Sequence, residues 1–208
     1  MFTIKKNTRE TEREEELNVT SHVIGLGGSM IAASLVYLYA TSPIGMLAGM
    51  LFCVSSMLTY ASSTLYHGAD NAKLKSIFYV LDCSSIYILI ASTAGSFLIV
   101  APYSLTVYVF VSTIFALAFL GVVFKIYFRH AHLISFALSY VAFGWLAMML
   151  AAPYVTGLPS SFILAGGMCY SLGVVAYLSA RIMYSHFVWH IAVLLGSACN
   201  FVALMLVI

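Results

Sequence analysis

The chain alternates long apolar stretches with short polar breaks. Beyond a polar opening, seven apolar segments can be drawn, at 21–40, 44–66, 76–99, 104–125, 132–152, 160–180 and 187–208. Each is close to the roughly 20 residues that a helix needs to cross the hydrocarbon of a bilayer. Pro43, Pro102, Pro153 and Pro159 fall in or beside the breaks, where helix breakers belong. The pattern predicts an all-α membrane protein of seven transmembrane helices, with 1–20 as an N-terminal tail and 21–208 as the membrane domain.

Composition agrees. Of 208 residues, 62% are hydrophobic and only 8% charged, so the bilayer is the main solvent and no room remains for a soluble domain. The opening MFTIKKNTRETEREEELN is too acidic, and too long before its apolar run, to be a secretory signal. Cys53, Cys83, Cys169 and Cys199 each lie within an apolar run with no CxxC pair, and read as small buried hydrophobes.

Charge adds an orientation. Lys5, Lys6, Arg9 and Arg13 lie in the tail, Lys73 and Lys75 between spans 2 and 3, Lys125 and Arg129 between spans 4 and 5, and Arg181 between spans 6 and 7. The connections near 41–43, 100–103 and 153–159 carry no charge. Basic residues mark cytoplasmic loops, so the N-terminus is expected in the cytoplasm and the C-terminus outside. Tyr37, Tyr39, Tyr103 and Tyr154 then sit at the outer interface.

A few polar residues interrupt the apolar runs. His67 closes span 2, Asp82 lies about two turns into span 3, and His186 and His190 open span 7. The topology puts all of them, with His22, in the cytoplasmic half of the membrane. His186 and His190, four apart, share one helix face, the arrangement that two ligands of one metal need. They could equally be interfacial histidines that snorkel. His67 at the same depth would complete the three-imidazole set of a catalytic-type zinc site. Ser63 lies one turn deeper than His67, either bonding its own i−4 carbonyl or holding a bound water or orienting Asp82. Asp82 is either a buried structural acid or a proton acceptor and donor beside a metal-activated water. Glu15, Asn18 and His22 read either as a helix-entry pattern or as a lid over the site. His130 and His132 read as loop histidines. Gly25, Gly27, Gly28, Gly166, Gly167 and Gly173 suit close helix packing in lipid.

These residues resemble the hemolysin III branch of the progestin and adipoQ receptor (PAQR) superfamily over nearly the whole chain. The carriers are E-x-x-N-x-x-x-H (Glu15, Asn18, His22), SSTLYH (Ser62 to His67), Asp82 in LDCSSIYILIA, FGW (Phe143 to Trp145), and GGMCYSLGVVAYLSARIMYSHFVWH (Gly166 to His190). The resemblance implies a zinc ion near the cytoplasmic side, held by His67, His186 and His190. It also implies that Asp82 bonds a zinc-bound water and that Ser63 belongs to the same hydrogen-bond network. Relatives such as the adiponectin receptors are linked to ceramide hydrolysis, and the superfamily is regarded as membrane-bound, metal-dependent hydrolases. The hemolysin III branch is named for a cytolytic activity. The chain departs from the pattern at Cys83, where a histidine is frequent, at Asn200, where span 7 often carries a histidine, and at Ser92 to Phe97 (STAGSF).

Three functions are expected in descending order. The first is a zinc-dependent hydrolase of a lipid amide or ester, with Asp82 and Ser63 as its catalytic residues. The second is a receptor or regulator of membrane lipid state with a structural zinc. The third is a cytolysin, which seven apolar helices argue against, since a secreted pore former must survive in water. The expected location is the cell membrane. The expected partners are membrane lipids, one of them a substrate, and no nucleic acid.

Overall fold

A computed structural model describes residues 11–128, 133–179 and 181–208. His130 and His132, with Arg129, lie outside the described residues. The elements are α1 (Glu12–Tyr39), α2 (Pro43–Gly68), α3 (Ala72–Ile99), α4 (Leu105–Tyr127), α5 (Leu133–Ala151), a 3₁₀ turn (Ala152–Tyr154), α6 (Leu158–Leu178) and α7 (Ser185–Met205). Among the described residues, seven helices are long and apolar enough to cross a membrane and no strand occurs. The chain is a multi-pass membrane protein.

Local chemistry sets the starts of these helices. Thr11, Ser42 and Ser104 accept from the backbone N–H of Glu14, Gly45 and Val107, and Asn71 accepts from Lys73 and Leu74. Each bond satisfies a donor that the first turn leaves unpaired. Pro43 occupies the first turn of α2, where its missing N–H costs nothing. α1 starts at Glu12, inside the segment read as tail, so its first two turns project beyond the predicted span.

Helix α1 buries mainly small and polar residues and turns large apolar ones outward. In α1 the buried positions are Glu14, Asn18, Ser21, His22, Gly25, Ser29 and Val36, at the three- and four-residue spacing of one helix face. Ile24, Met30, Ile31 and Leu38 of α1 are exposed, as lipid-facing residues should be. Close packing needs the glycines at particular places. A Cβ at Gly25 would sit 2.6 Å from Leu194, and one at Gly173 would sit 2.5 Å from Ala192 Cβ. Gly27 and Gly28, expected to pack, instead have nothing within 4 Å of an added Cβ.

Neighbouring contacts close a ring, α1–α2–α3–α5–α6–α7 and back to α1, while α4 packs chiefly on α3 from outside the ring. The ring encloses an interior space. One end of the bundle gathers the start of α1, the end of α2, the start of α3 and the start of α7. The polar residues of interest lie there.

Candidate metal centre

His67 stands in the last turn of α2, and His186 and His190 stand in the first two turns of α7. Their exposures are 5%, 8% and 1%, so none is a snorkelling surface histidine. The three ring centroids form a near-equilateral triangle with sides of 4.7, 5.0 and 4.7 Å. One nitrogen from each ring lies within 4.8 Å of the other two. This is the cluster that α2 and α7, distant in sequence, bring together at one end of the bundle.

Helix α1 clamps the triangle. Glu15 Oε2 accepts from His67 Nδ1 at 2.5 Å, and Glu15 Oε1 accepts from Lys75 Nζ at 3.3 Å. His190 Nδ1 lies 3.1 Å from Ser21 Oγ and 3.3 Å from the Asn18 carbonyl. The carbonyl can only accept, and Ser21 Oγ already donates to that carbonyl at 2.8 Å, so His190 Nδ1 is the donor to both. Glu14 Oε1 accepts the backbone N–H of His186 at 3.1 Å. With Nδ1 of His67 and His190 held by α1, Nε2 is the nitrogen left to each ring for a metal, and His67 Nε2 is buried with no hydrogen-bond partner among the described residues. Outer partners that fix the ring tautomer in this way are the usual companions of metal-binding histidines.

His22 lies flat against His190, with centroids 3.7 Å apart and planes at 12°, and edge-on to Tyr60 at 5.2 Å. It belongs to the site but not to the three-nitrogen cluster.

Asp82 is half-buried, ten residues into α3 and thus about 15 Å along it. It lies within interaction range of Ser63, His67, His186 and Lys125. Ser63 Oγ is buried and makes no hydrogen bond among the described residues, whereas its neighbour Ser62 bonds the Thr59 carbonyl at 3.0 Å. The back-bonding expected as the plain alternative for Ser63 is therefore absent, and its hydroxyl remains available to Asp82.

A cavity of about 110 Å³ opens from this site into the ring. Asp82 and His22 line its polar end, and Ile86, Ile90, Val193 and Met148 belong to its long apolar wall. The lining runs from Asp82 to Thr93 on α3 and from Trp189 to Asn200 on α7, each about 16 Å of helix. Trp145, 37% exposed, stands at its α5–α6 edge and donates to Ser171 Oγ at 3.1 Å.

Three participants were not singled out from the sequence. Glu14 and Ser21 fall on the same polar stripe of α1 as Asn18 and His22, a signal that the spacing 14, 18, 21, 22, 25 carries. Lys125, read as a connecting-segment charge, lies inside α4 and is 1% exposed. It donates to Tyr79 Oη at 3.0 Å and lies 4.0 Å from the centroid of the Phe136 ring. Partners from α3 and α5 enclose its charge, which a count of basic residues by segment does not reveal.

A family model described as haemolysin-III related matches residues 11–201. The chain is 34% identical to Hemolysin-3 of Bacillus cereus over 205 residues, covering 95% of this chain and 94% of that one. It is 33% identical to a Hemolysin-3 homolog of Bacillus subtilis (strain 168) over 207 residues, covering 97% and 93%. The fold, the polar end of its helix ring and these likenesses agree that the chain belongs to the haemolysin-III related family, within the PAQR superfamily.

Proposed function

We propose that the protein is a zinc-dependent hydrolase of a lipid amide or ester, working at the cytoplasmic side of the cell membrane. The observation that carries this reading is the juxtaposition of the histidine triangle with a mostly apolar cavity that has Asp82 and His22 in its lining. The donor set suits zinc. Nitrogens bound at about 2.0–2.1 Å on a tetrahedron lie about 3.4 Å apart, so a spread within 4.8 Å needs only modest ring rotation. His67, His186 and His190 would hold the ion, leaving the open position typical of catalytic sites. When bound, zinc supplies a Lewis acid and makes a coordinated water acidic near neutral pH.

The chain's own groups do the rest. Glu15, Ser21 and the Asn18 carbonyl hold His67 and His190 in the tautomer that offers Nε2. Asp82 takes a proton on its carboxylate and returns it to the leaving amine or alcohol. Ser63 Oγ donates to Asp82 and orients it. The apolar wall takes the acyl chain and keeps bulk water from the scissile group.

Bound zinc and turnover of ceramide-like and ester lipids, measured on purified wild type and Asp82→Ala, test this. Zinc retained in both, with turnover at least a hundredfold lower in Asp82→Ala, is expected. Zinc without hydrolysis across the panel would instead favour a lipid-sensing regulator in which the ion ties α2 to α7.

A further inference from the structure

The cavity wall contains a buried imidazole that no hydrogen bond among the described residues engages. The hydroxyls of the wall are occupied, and the unpartnered Oδ1 of Asn200 can only accept. Thr59 donates to the Ser55 carbonyl, Thr93 to that of Leu89, Tyr140 to that of Cys83, and Ser171 to that of Gly167. His22 differs. It is 3% exposed, it lines the cavity, and neither Nδ1 nor Nε2 has a partner among the described residues. An imidazole in either tautomer carries at least one N–H, and burying that donor unmet is costly.

The ring is also held in place. Its face is fixed against His190 at 3.7 Å and its edge meets Tyr60. Packing alone would be served as well by phenylalanine, which would bury no nitrogen. What an imidazole adds is a donor set in the wall of the cavity that Asp82 also lines.

We infer that His22 is the anchor for the carbonyl of an acyl lipid, donating a hydrogen bond to its oxygen while the acyl chain fills the cavity. This rests on the lipid reading above and deepens it by naming what selects the substrate. The ligand class is then a chain bearing an amide or ester carbonyl at one end, and a plain hydrocarbon of equal length binds less well. His22 is a binding residue here, distinct from the three metal-holding histidines and from the proton-transferring Asp82.

The chain's two tryptophans, Trp145 and Trp189, both line the cavity, so their fluorescence reports its occupancy. The test uses protein in nanodiscs, a fatty amide carrying a nitroxide quencher on its chain, and displacement by unlabelled fatty amide or by an alkane of the same length. Wild type, His22→Phe and His22→Gln are compared, with zinc content measured in each. Phenylalanine keeps the stack on His190, and glutamine restores a donor. The expected result is a roughly tenfold loss of amide affinity in His22→Phe, the size of one hydrogen bond. Partial recovery in His22→Gln, unchanged alkane affinity and unchanged zinc are expected with it. Equal affinities for amide and alkane in wild type, or an unchanged amide affinity in His22→Phe, would overturn the role of His22 and leave the chain-binding cavity standing. Absence of quenching in wild type would overturn the lipid reading and this inference together.

Discussion

At the scale of single residues, the site is organised by the partners of the three histidines as much as by the histidines themselves. Glu15 illustrates this. Its carboxylate holds His67 Nδ1 on one oxygen and Lys75 on the other, joining α1, α2 and α3 around one ring nitrogen. Such an outer partner typically contributes 10- to 100-fold in metal affinity. Glu15→Ala should therefore weaken zinc binding by about that factor in competition with a chelator. The same change at Glu12, exposed on the same turn, should leave it unaltered. Equal affinities for wild type and Glu15→Ala would show that the bond to His67 does not support the metal. Lys125 carries a different lesson. As a sequence feature it is one of nine basic residues that set topology, yet its ammonium is enclosed by Tyr79 and Phe136, and only tertiary contacts show that.

At the scale of elements, small residues decide how closely the helices approach. Without water between them, helices in lipid associate by packing and hydrogen bonds. Gly173 lets α6 lie against Ala192 and Trp189 of α7, the helix that carries two of the three histidines. Gly173→Ala should push the two helices apart and lower stability by about 1–3 kcal/mol, read as a drop in detergent melting temperature. Gly27→Ala, which meets nothing within 4 Å, should be neutral or slightly stabilising. If the two variants melted alike, the closeness of α6 and α7 would not be limiting. The glycine clusters were visible in the sequence. Which members pack was not, because a helix's rotation about its own axis depends on its neighbours. The polar stripe of α1 was legible only in part. Asn18 and His22 stood out by their spacing, while Glu14 and Ser21 looked like ordinary residues of a helix entrance.

At the scale of the whole molecule, the histidine triangle joins the end of α2 to the start of α7, with α1 laid across both. A ligand that binds only the folded arrangement stabilises it by mass action. Zinc at about 100 times its dissociation constant should therefore add roughly 2.7 kcal/mol. Chelation should lower the melting temperature, zinc should restore it in a concentration-dependent way, and His186→Ala should abolish the response. A melting temperature indifferent to zinc in wild type would remove the metal from the description.

The sequence by itself determined the seven spans, because a bilayer demands about 20 apolar residues per helix and nearly all the charged residues fall in the tail or at the breaks between spans. It also determined which residues were chemically out of place, since an imidazole or a carboxylate in an apolar run is conspicuous whatever the fold. The spacing of four between His186 and His190 already placed them on one face. Only the tertiary structure decided that His67 joins them from α2 and that α1 takes hold of Nδ1 of His67 and of His190. It also decided that α4 stands outside the ring and that a cavity is left inside it. Those outcomes depend on how each helix is rotated and which helix it meets, and contacts between residues more than a hundred positions apart leave no period in the chain to read.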